Sequence, residues 1–204
     1  MISLVILAAG KSARMKENKL LLSVDGETMI EHVVRTATRS TADEIIIVLG
    51  YEAQKLKERL AQVDCRLVIN DKYEKGQSES VKAGLRAISP DAEAVMILPA
   101  DVALIDAESI NQVANEYRRS KSPIVIASHL HQSGHPILID RALFPEVTRI
   151  NEETLGLKAV IDRHRSEITY VEAGTENVLI DIDTQEEFNK YFRRPAASSG
   201  HRRT

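Results

Sequence analysis

A cluster of basic side chains follows the first apolar run of the chain, which covers residues 2–9. Its four cations within nine residues are Lys11, Arg14, Lys16 and Lys19. Arginine can clamp phosphate oxygens through two donors, whereas lysine acts as a point charge. The run ends in small residues, which let backbone N–H groups approach an anion closely. We interpret the segment as a phosphate-binding loop; the alternative is a solvated basic loop.

Two familiar nucleotide motifs are excluded by spacing. Gly10-Lys11-Ser12 resembles the end of a P-loop, G-x-x-x-x-G-K-[ST], but the first glycine of that motif would fall at Val5. The dinucleotide fingerprint G-x-G-x-x-G needs three glycines, and Gly10 is the only glycine between Met1 and Leu22. The loop must therefore hold phosphate in another way.

Carboxylates follow two other segments. Asp101 comes just after the apolar run AVMIL, and Asp181 and Asp183 are two positions apart, so in an extended chain they point to one face. Mg²⁺ in phosphate-handling sites takes one or two protein carboxylates plus substrate oxygens. Asp101 is a candidate metal ligand, although loop or helix capping is the alternative for Asp101 and for Asp183.

The segment KGQSES follows the apolar run RLVIN and offers amide and hydroxyl groups. Gly76 permits a tight turn, and Gln77, Ser78 and Ser80 suit the polar edges of a base or a ribose. The alternative is a plain helix start with Ser78 as the N-cap.

Strands and helices alternate around these segments. Short Val/Ile/Leu runs alternate with helical patterns through residue 128, which predicts a mostly parallel sheet covered by helices on both faces. Ligands of such folds bind outside the carboxyl ends of the strands. We expect one domain over 1–192, with a nucleotide-binding part (1–128) and an acceptor-binding part with a closing segment (129–192). The tail 193–204 is expected to be disordered.

Composition narrows the function classes. The net charge of −3, the pI of about 6.1 and the absence of Trp argue against nucleic-acid binding. No apolar run approaches the roughly 20 residues that span a bilayer, and the N-terminal run lacks the basic start of a signal peptide. The single Cys65 fits a reducing compartment. We expect a cytoplasmic protein that contacts neither membranes nor nucleic acid.

The segment LAAGKSARMKENKLLL resembles the signature L-A-A-G-x-S-x-R-M-G-x-x-K-L-L of the molybdenum cofactor nucleotidyltransferase family. NDKYEKGQSESVKAGL, ILPAD, SGHPILI and DIDTQEEF match further family segments in order, so that the resemblance runs from Leu7 to Phe188. Three residues depart from the pattern: Lys16 replaces a Gly, Ala103 a Pro and Thr154 an Asp.

The resemblance implies a three-layer α/β/α, Rossmann-like nucleotidyltransferase fold. It also implies transfer of a cytidylyl group from CTP to the terminal phosphate of a molybdopterin-type cofactor, with Mg²⁺ as the metal and pyrophosphate as the by-product. The recipient of the product would be a molybdenum hydroxylase such as xanthine dehydrogenase, with transient docking. Ala9 and Gly76-Gln77-Ser78 are similar to the CTP-using branch, because the GTP-using branch tends to read L-A-G-G.

The resemblance also assigns roles to individual residues. The residues implied to be catalytic are Arg14, Lys19 and Asp101. The implied metal ligands are Asp101 and Asp183, with Asp181 as a possible further ligand. The nucleotide-binding set is Leu7, Ala8, Ala9, Gly10, Ser12, Arg14, Lys19, Asn70, Gly76, Gln77, Ser78, Ser80, Pro99 and Ala100. The acceptor-binding set is Gly134, His135, Pro136 and Lys158.

Other functions stay open. GTP is the next candidate nucleotide, and a sugar-phosphate or isoprenoid-phosphate nucleotidyltransferase would use the same first loop. From a different class, the chain could be a non-catalytic carrier of the cofactor.

Overall fold

The computed structural model describes residues 1–15 and 17–192. Lys16 and the tail 193–204 lie outside the described residues, as does the expectation of disorder for the tail. In the described part, the strands in chain order are β1 (Ile2–Ala8), β2 (Ser23–Val24), β3 (Glu27–Thr28), β4 (Glu44–Leu49), β5 (Arg66–Ile69), β6 (Ala94–Pro99), β7 (Ile124–His129), β8 (Gln132–Asp140) and β9 (Ile168–Glu172).

Helices connect most of these strands. The α-helices are α1 (Met29–Thr38), α2 (Ala53–Arg59), α3 (Gln77–Ala87), α4 (Ala107–Ser120), α5 (Phe144–Val147), α6 (Leu157–Arg163) and α7 (Gln185–Phe192). Short 3₁₀ helices cover Lys19–Leu21, Tyr73–Lys75, Arg141–Leu143, Glu152–Thr154, Arg165–Glu167 and Glu176–Leu179. In this part of the chain no helix is long and apolar enough to cross a membrane.

One seven-stranded sheet has the order β5-β4-β1-β6-β8-β7-β9. Every neighbouring pair is parallel except the two that involve β8, which is antiparallel to β6 and to β7. Strands β2 and β3 form a separate hairpin. The predicted fold class, a three-layer α/β arrangement with a mostly parallel sheet, is confirmed.

Alternating side chains of the central strands fill two separate cores. Leu4 and Ile6 of β1 pack on one face with α1, α4 and α7, and Val5 packs on the other with α3, α5 and α6. All three side chains are fully buried, which explains why the run carries no polar alternation.

Side chains cap the starts of two α-helices. The Asp106 carboxylate caps α4 by accepting from the N–H of Ser109, and Thr184 with Glu187 forms a capping box before α7. The prediction of Ser78 as the N-cap of α3 is wrong. Gly76 is the N-cap, because the helix begins two residues earlier than the hydroxyl pattern indicated.

Candidate functional site

The largest concentration of predicted site residues lies at the carboxyl ends of β1 and β6. From β1 the chain moves outward to β4 and β5 and then returns to the other side of β1 as β6, which opens a crevice at this edge. A cleft of about 400 Å³ occupies it. Its lining consists of Leu7, Ala8, Ala9, Gly10, Lys11, Ser12, Ala13, Arg14, Lys19, Leu20, Tyr73, Gly76, Gln77, Ser80, Pro99, Ala100, Asp101 and Asp183. We call this the nucleotide cleft.

The basic loop is held in shape by its own polar side chains. Ser12 adopts a left-handed backbone conformation (φ 51°), and its hydroxyl accepts a hydrogen bond from the Lys19 N–H at 3.2 Å. The Asn18 side chain caps the following 3₁₀ helix by accepting from the Leu20 N–H at 3.1 Å. These contacts fix the backbone from which the Lys19 side chain enters the cleft.

Lys19 connects the loop to two distant carboxylates. Its ammonium group donates to Asp101 Oδ2 at 2.9 Å and to Asp183 Oδ1 at 2.8 Å, and only 11% of its side chain is exposed. Burial opposes the charge, but Asp101 and Asp183 outweigh it and raise the pKa of Lys19. A permanent cation therefore lies between the two carboxylates.

Asp183 receives a second cation, Arg14, at 2.5 Å. The hydrogen bond from Lys19 is the main cause that lowers the pKa of Asp183, and Arg14 adds to it. Thr184 and Glu187 cap α7, so the Asp183 side chain faces the cleft instead of the helix end. The capping alternative for Asp183 is therefore wrong.

Asp181 lies beside this group without lining the cleft. Desolvation, followed by the charges of Asp101 and Asp183, raises the pKa of the partly solvent-accessible Asp181 to about 6. The expected common orientation of Asp181 and Asp183 thus brings them close enough to Asp101 for the three charges to interact.

The donor set fits a hard divalent cation. Carboxylate oxygens of Asp101 and Asp183 converge on one point, where Lys19 donates to both, and Mg²⁺ prefers such oxygens together with those of substrate phosphates. Asp101 and Asp183 are the residues that could hold the metal; among the described residues no third Asp, Glu, His or Cys joins them in a metal-binding group.

The start of α3 forms the opposite wall of the nucleotide cleft. Gly76, Gln77 and Ser80 line it, together with Tyr73. Lys11 pairs with Glu74 at 2.5 Å, which raises the pKa of Lys11, and its ammonium lies 5.7 Å from the centre of the Tyr73 ring.

Two predicted nucleotide-binding residues lie behind this wall. Asn70 is buried; its amide donates to Ser80 Oγ at 3.0 Å and its carbonyl accepts from the Lys72 N–H, so it shapes the loop from inside. Ser78 is also buried (3% exposed), and its hydroxyl has no partner among the described residues.

Three of the predicted acceptor-binding residues line a second cleft, of about 370 Å³, between α6 and strands β7, β8 and β9. They are Gly134, His135 and Lys158, and we call this space the acceptor cleft. Pro136 is buried and does not line it. Ile97 of β6 is opposite Ile137 of β8, so His135, two residues earlier, lies at the carboxyl end of β6, near Asp101.

His135 is a largely buried, neutral imidazole. Burial lowers its pKa to about 4, and the charge of Asp101 opposes this only in part. Its Nδ1 has no hydrogen-bond partner among the residues that the structure describes. It can therefore act as a neutral hydrogen-bonding group at ordinary pH.

Sequence reasoning missed several lining residues. Tyr73 of the nucleotide cleft follows a strand end, a position that could have indicated a ligand contact. Arg165 and Tyr170 of the acceptor cleft belong to segments that only the sheet order brings together. No local pattern indicates those two.

Curated relatives match part of the chain. One, the "Bifunctional protein GlmU" of Desulfotalea psychrophila, is 33% identical over 127 residues, 61% of this chain and 37% of that protein. The chain therefore spans well under half the length of this relative.

Solved structures share the fold over nearly the whole chain. A nucleotidyl transferase from Methanothermobacter superposes with a TM-score of 0.81 at 23% identity, covering 94% of this chain and 96% of that one. A 4-diphosphocytidyl-2C-methyl-D-erythritol synthase from Anaerococcus prevotii gives 0.72 at 22% identity, covering 95% and 96%. A molybdopterin-guanine dinucleotide biosynthesis protein A from Archaeoglobus fulgidus gives 0.67 at 13% identity, covering 92% and 95%.

A family model, the MobA-like NTP transferase domain, matches residues 4–168. That range contains the basic loop, Asp101 and the start of α3, and so most of the lining of the nucleotide cleft. The chain belongs to the MobA-like NTP transferase domain family and is a nucleotidyltransferase.

Proposed function

We propose that this protein transfers a cytidylyl group from CTP to the terminal phosphate of a molybdopterin-type cofactor and releases pyrophosphate. The observation that carries the proposal is the convergence of the basic loop and the carboxylate pair through Lys19, beside a second cleft that contains His135 and Lys158. The product would serve the maturation of a molybdenum hydroxylase in the cytoplasm, with transient docking between the two proteins.

The reaction needs positioning more than proton transfer. An oxygen of the acceptor phosphate attacks the α-phosphorus of CTP, and the bond between that phosphorus and the bridging oxygen to the β-phosphate breaks. A phosphate monoester has a second pKa of about 6, so its attacking oxygen is mostly ionised at neutral pH and needs no general base. A neutral His135 is compatible with this chemistry.

Arg14, Lys19 and the backbone around Gly10 would bind the triphosphate and then the leaving pyrophosphate. Lys19 and Arg14 reach phosphate oxygens by exchanging their present carboxylate partners for them. Mg²⁺ on Asp101 and Asp183 would neutralise charge on the α-phosphate.

Cytosine is preferred over guanine on grounds of size and polarity. Gln77 would offer its amide to the edge of a base, and Ala9 adds a methyl group to the lining of the same cleft. A two-ring base would need more room in the cleft than a pyrimidine does.

A second acceptor class has its own support. The synthase from Anaerococcus prevotii, named for a cytidyl-bearing product, superposes better than the protein named for molybdopterin-guanine dinucleotide. A sugar-phosphate or isoprenoid-phosphate acceptor is therefore the alternative to the molybdopterin-type cofactor, with GTP as the alternative nucleotide.

Pyrophosphate release separates these functions. Purified protein is incubated with Mg²⁺ and CTP, GTP, UTP or ATP, each without an acceptor or with a molybdopterin-type cofactor, a sugar 1-phosphate or methylerythritol 4-phosphate, and the products are identified by mass. The proposal predicts release with CTP and the molybdopterin-type cofactor, by about 10²-fold over GTP. A guanylylated product would show that the nucleotide substrate is GTP and not CTP. Turnover with another phosphate acceptor alone would contradict the proposed molybdopterin-type acceptor.

A further inference from the structure

The first turn of α3 is capped by a side chain from the predicted acceptor-binding part of the chain, 129–192. Gly76, the N-cap of this helix, has no side chain with which to accept a hydrogen bond. The Ser78 N–H instead donates to Glu152 Oε1 at 2.7 Å, a contact that joins residues 74 positions apart. One of the N–H groups that a helix start leaves unsatisfied is thus paired by a distant carboxylate, which also suits the positive end of the helix dipole.

Glu152 packs directly on the backbone that lines the nucleotide cleft. A Cβ atom at Gly76, which has a φ of 105°, would lie 2.3 Å from Glu152 Cγ and 2.6 Å from Oε1. The glycine therefore permits both the turn and the close approach of Glu152. Displacement of Glu152 would remove the partner of the Ser78 N–H and the side chain that packs on Gly76, on either side of Gln77 in the lining of the cleft.

The segment that carries Glu152 is itself fixed. Asn151 caps its 3₁₀ helix by accepting from the Thr154 N–H at 2.9 Å, and the Asn151 carbonyl accepts from the Gly156 N–H at 2.8 Å. Lys158 of the acceptor cleft follows two residues later. The same short segment therefore contacts both clefts.

We infer that Glu152 is a positioning residue, which sets the geometry of Gly76 and Gln77 for binding the base. It thereby connects the predicted acceptor-binding part of the chain to nucleotide selection. The inference rests on the proposed nucleotide chemistry of the cleft but not on the identity of the acceptor. It predicts that removing Glu152 weakens recognition of the base and leaves recognition of the phosphates intact, because Gly10, Arg14 and Lys19 lie on the other wall.

Calorimetric binding in the presence of Mg²⁺ tests this with two probes, CTP and inorganic tripolyphosphate. In Glu152→Ala we expect the Kd of CTP to rise about tenfold, equivalent to about 1.4 kcal/mol, and the Kd of tripolyphosphate to stay within about twofold. Glu152→Gln keeps an oxygen that can accept from the Ser78 N–H, and should bind CTP within about threefold of wild type. Glu153→Ala, at the exposed neighbouring position, is the matched control and should bind both probes normally.

Unchanged CTP binding in folded Glu152→Ala overturns the inference, as does equal weakening of both probes, which would indicate general loosening. If Glu152→Ala does not fold, Glu152→Asp takes its place, because its shorter side chain withdraws the carboxylate from the Ser78 N–H: CTP binding that is unchanged, or weakened only as much as tripolyphosphate binding, overturns the inference. If wild type binds GTP and not CTP, the cytidylyl proposal fails, and GTP replaces CTP in the same test of Glu152.

Discussion

The two clefts are built from different kinds of sequence. The nucleotide cleft draws most of its lining from three short stretches, 7–14, 73–80 and 99–101, each at the end of a strand. The acceptor cleft takes residues from β7, β8, α6, β9 and the 3₁₀ helix between α6 and β9. Its charged residues Lys158, Asp162 and Arg165 are exposed, whereas Lys19 is buried between two carboxylates. The lining of the nucleotide cleft is thus concentrated in three motifs, whereas that of the acceptor cleft is drawn from several separate elements of the fold.

The largest effect should come from Lys19. We expect Lys19→Ala to lower kcat by about 10²–10³, because the proposed donor to the phosphates is lost and the cation that bridges Asp101 and Asp183 is removed, which leaves only Arg14 on Asp183. Initial rates of pyrophosphate release measure the effect, and circular dichroism checks the fold. Lys55→Ala, which removes an exposed lysine that pairs with Glu52, is the control. A folded Lys19→Ala protein within a few-fold of wild type would remove Lys19 from the site.

Asp101 should come next. Asp101→Asn keeps the shape of the side chain but removes a charged ligand, so activity or Mg²⁺ affinity should fall by about 10–100-fold, the scale seen for groups that orient a metal. Rates are measured across a Mg²⁺ titration. Asp181→Asn is the neighbouring comparison and should have the smaller effect, because Asp181 does not line the cleft. If both variants lose the same activity or Mg²⁺ affinity, Asp181 contributes as much to metal binding as Asp101 does.

His135 tests the acceptor side through stability. An unfolded histidine has a pKa near 6.5, and burial lowers the folded value to about 4. Between these pH values the histidine binds a proton in the unfolded chain but not in the folded chain. The contribution of the neutral His135 to the free energy of unfolding is therefore fully present above pH 6.5 and is lost as the pH falls toward 4. We expect His135→Gln to lose less stability than wild type between pH 7.5 and 5, by on the order of 1 kcal/mol.

Thermal unfolding at the two pH values measures this difference, which corresponds to about 2–4 °C in Tm. His131→Gln, at an exposed position in the β7–β8 turn, is the control and should follow wild type. Identical pH dependence of wild type and His135→Gln would mean that His135 is more solvated than the fold indicates.

The smallest effect is expected at Lys158. Lys158→Ala should raise the KM of the acceptor by about two- to fivefold and leave the KM of CTP unchanged, because an exposed lysine contributes about 0.2–1 kcal/mol to an ionic contact. Steady-state kinetics with each substrate varied in turn measures both constants. Arg163→Ala, on the same helix and paired with Glu146, is the control. A change in the KM of CTP would show that the two clefts are not separable.

Much of this could be predicted from the sequence, and the exceptions have physical causes. Mostly apolar runs such as Ile2–Ala8, interrupted only by Ser3, indicate strands buried on both faces, and the residues after them reach one edge of the sheet. Ser78 was misassigned because a hydroxyl at a helix start resembles a cap, whereas Gly76 alone can adopt the turn and admit Glu152. The contact between Glu152 and Ser78 depends on tertiary packing, which no local pattern records.

The reversed direction of β8 has a consequence for how such proteins diverge. Because β8 runs against its neighbours, its beginning, not its end, reaches the edge where both substrates would meet. The β7–β8 hairpin can therefore change length and chemistry without altering a crossover helix or the loops after β1 and β6. Substitutions in this one hairpin would alter the surroundings of His135 while the segments that line the nucleotide cleft stay constant, so one fold can come to hold different second substrates.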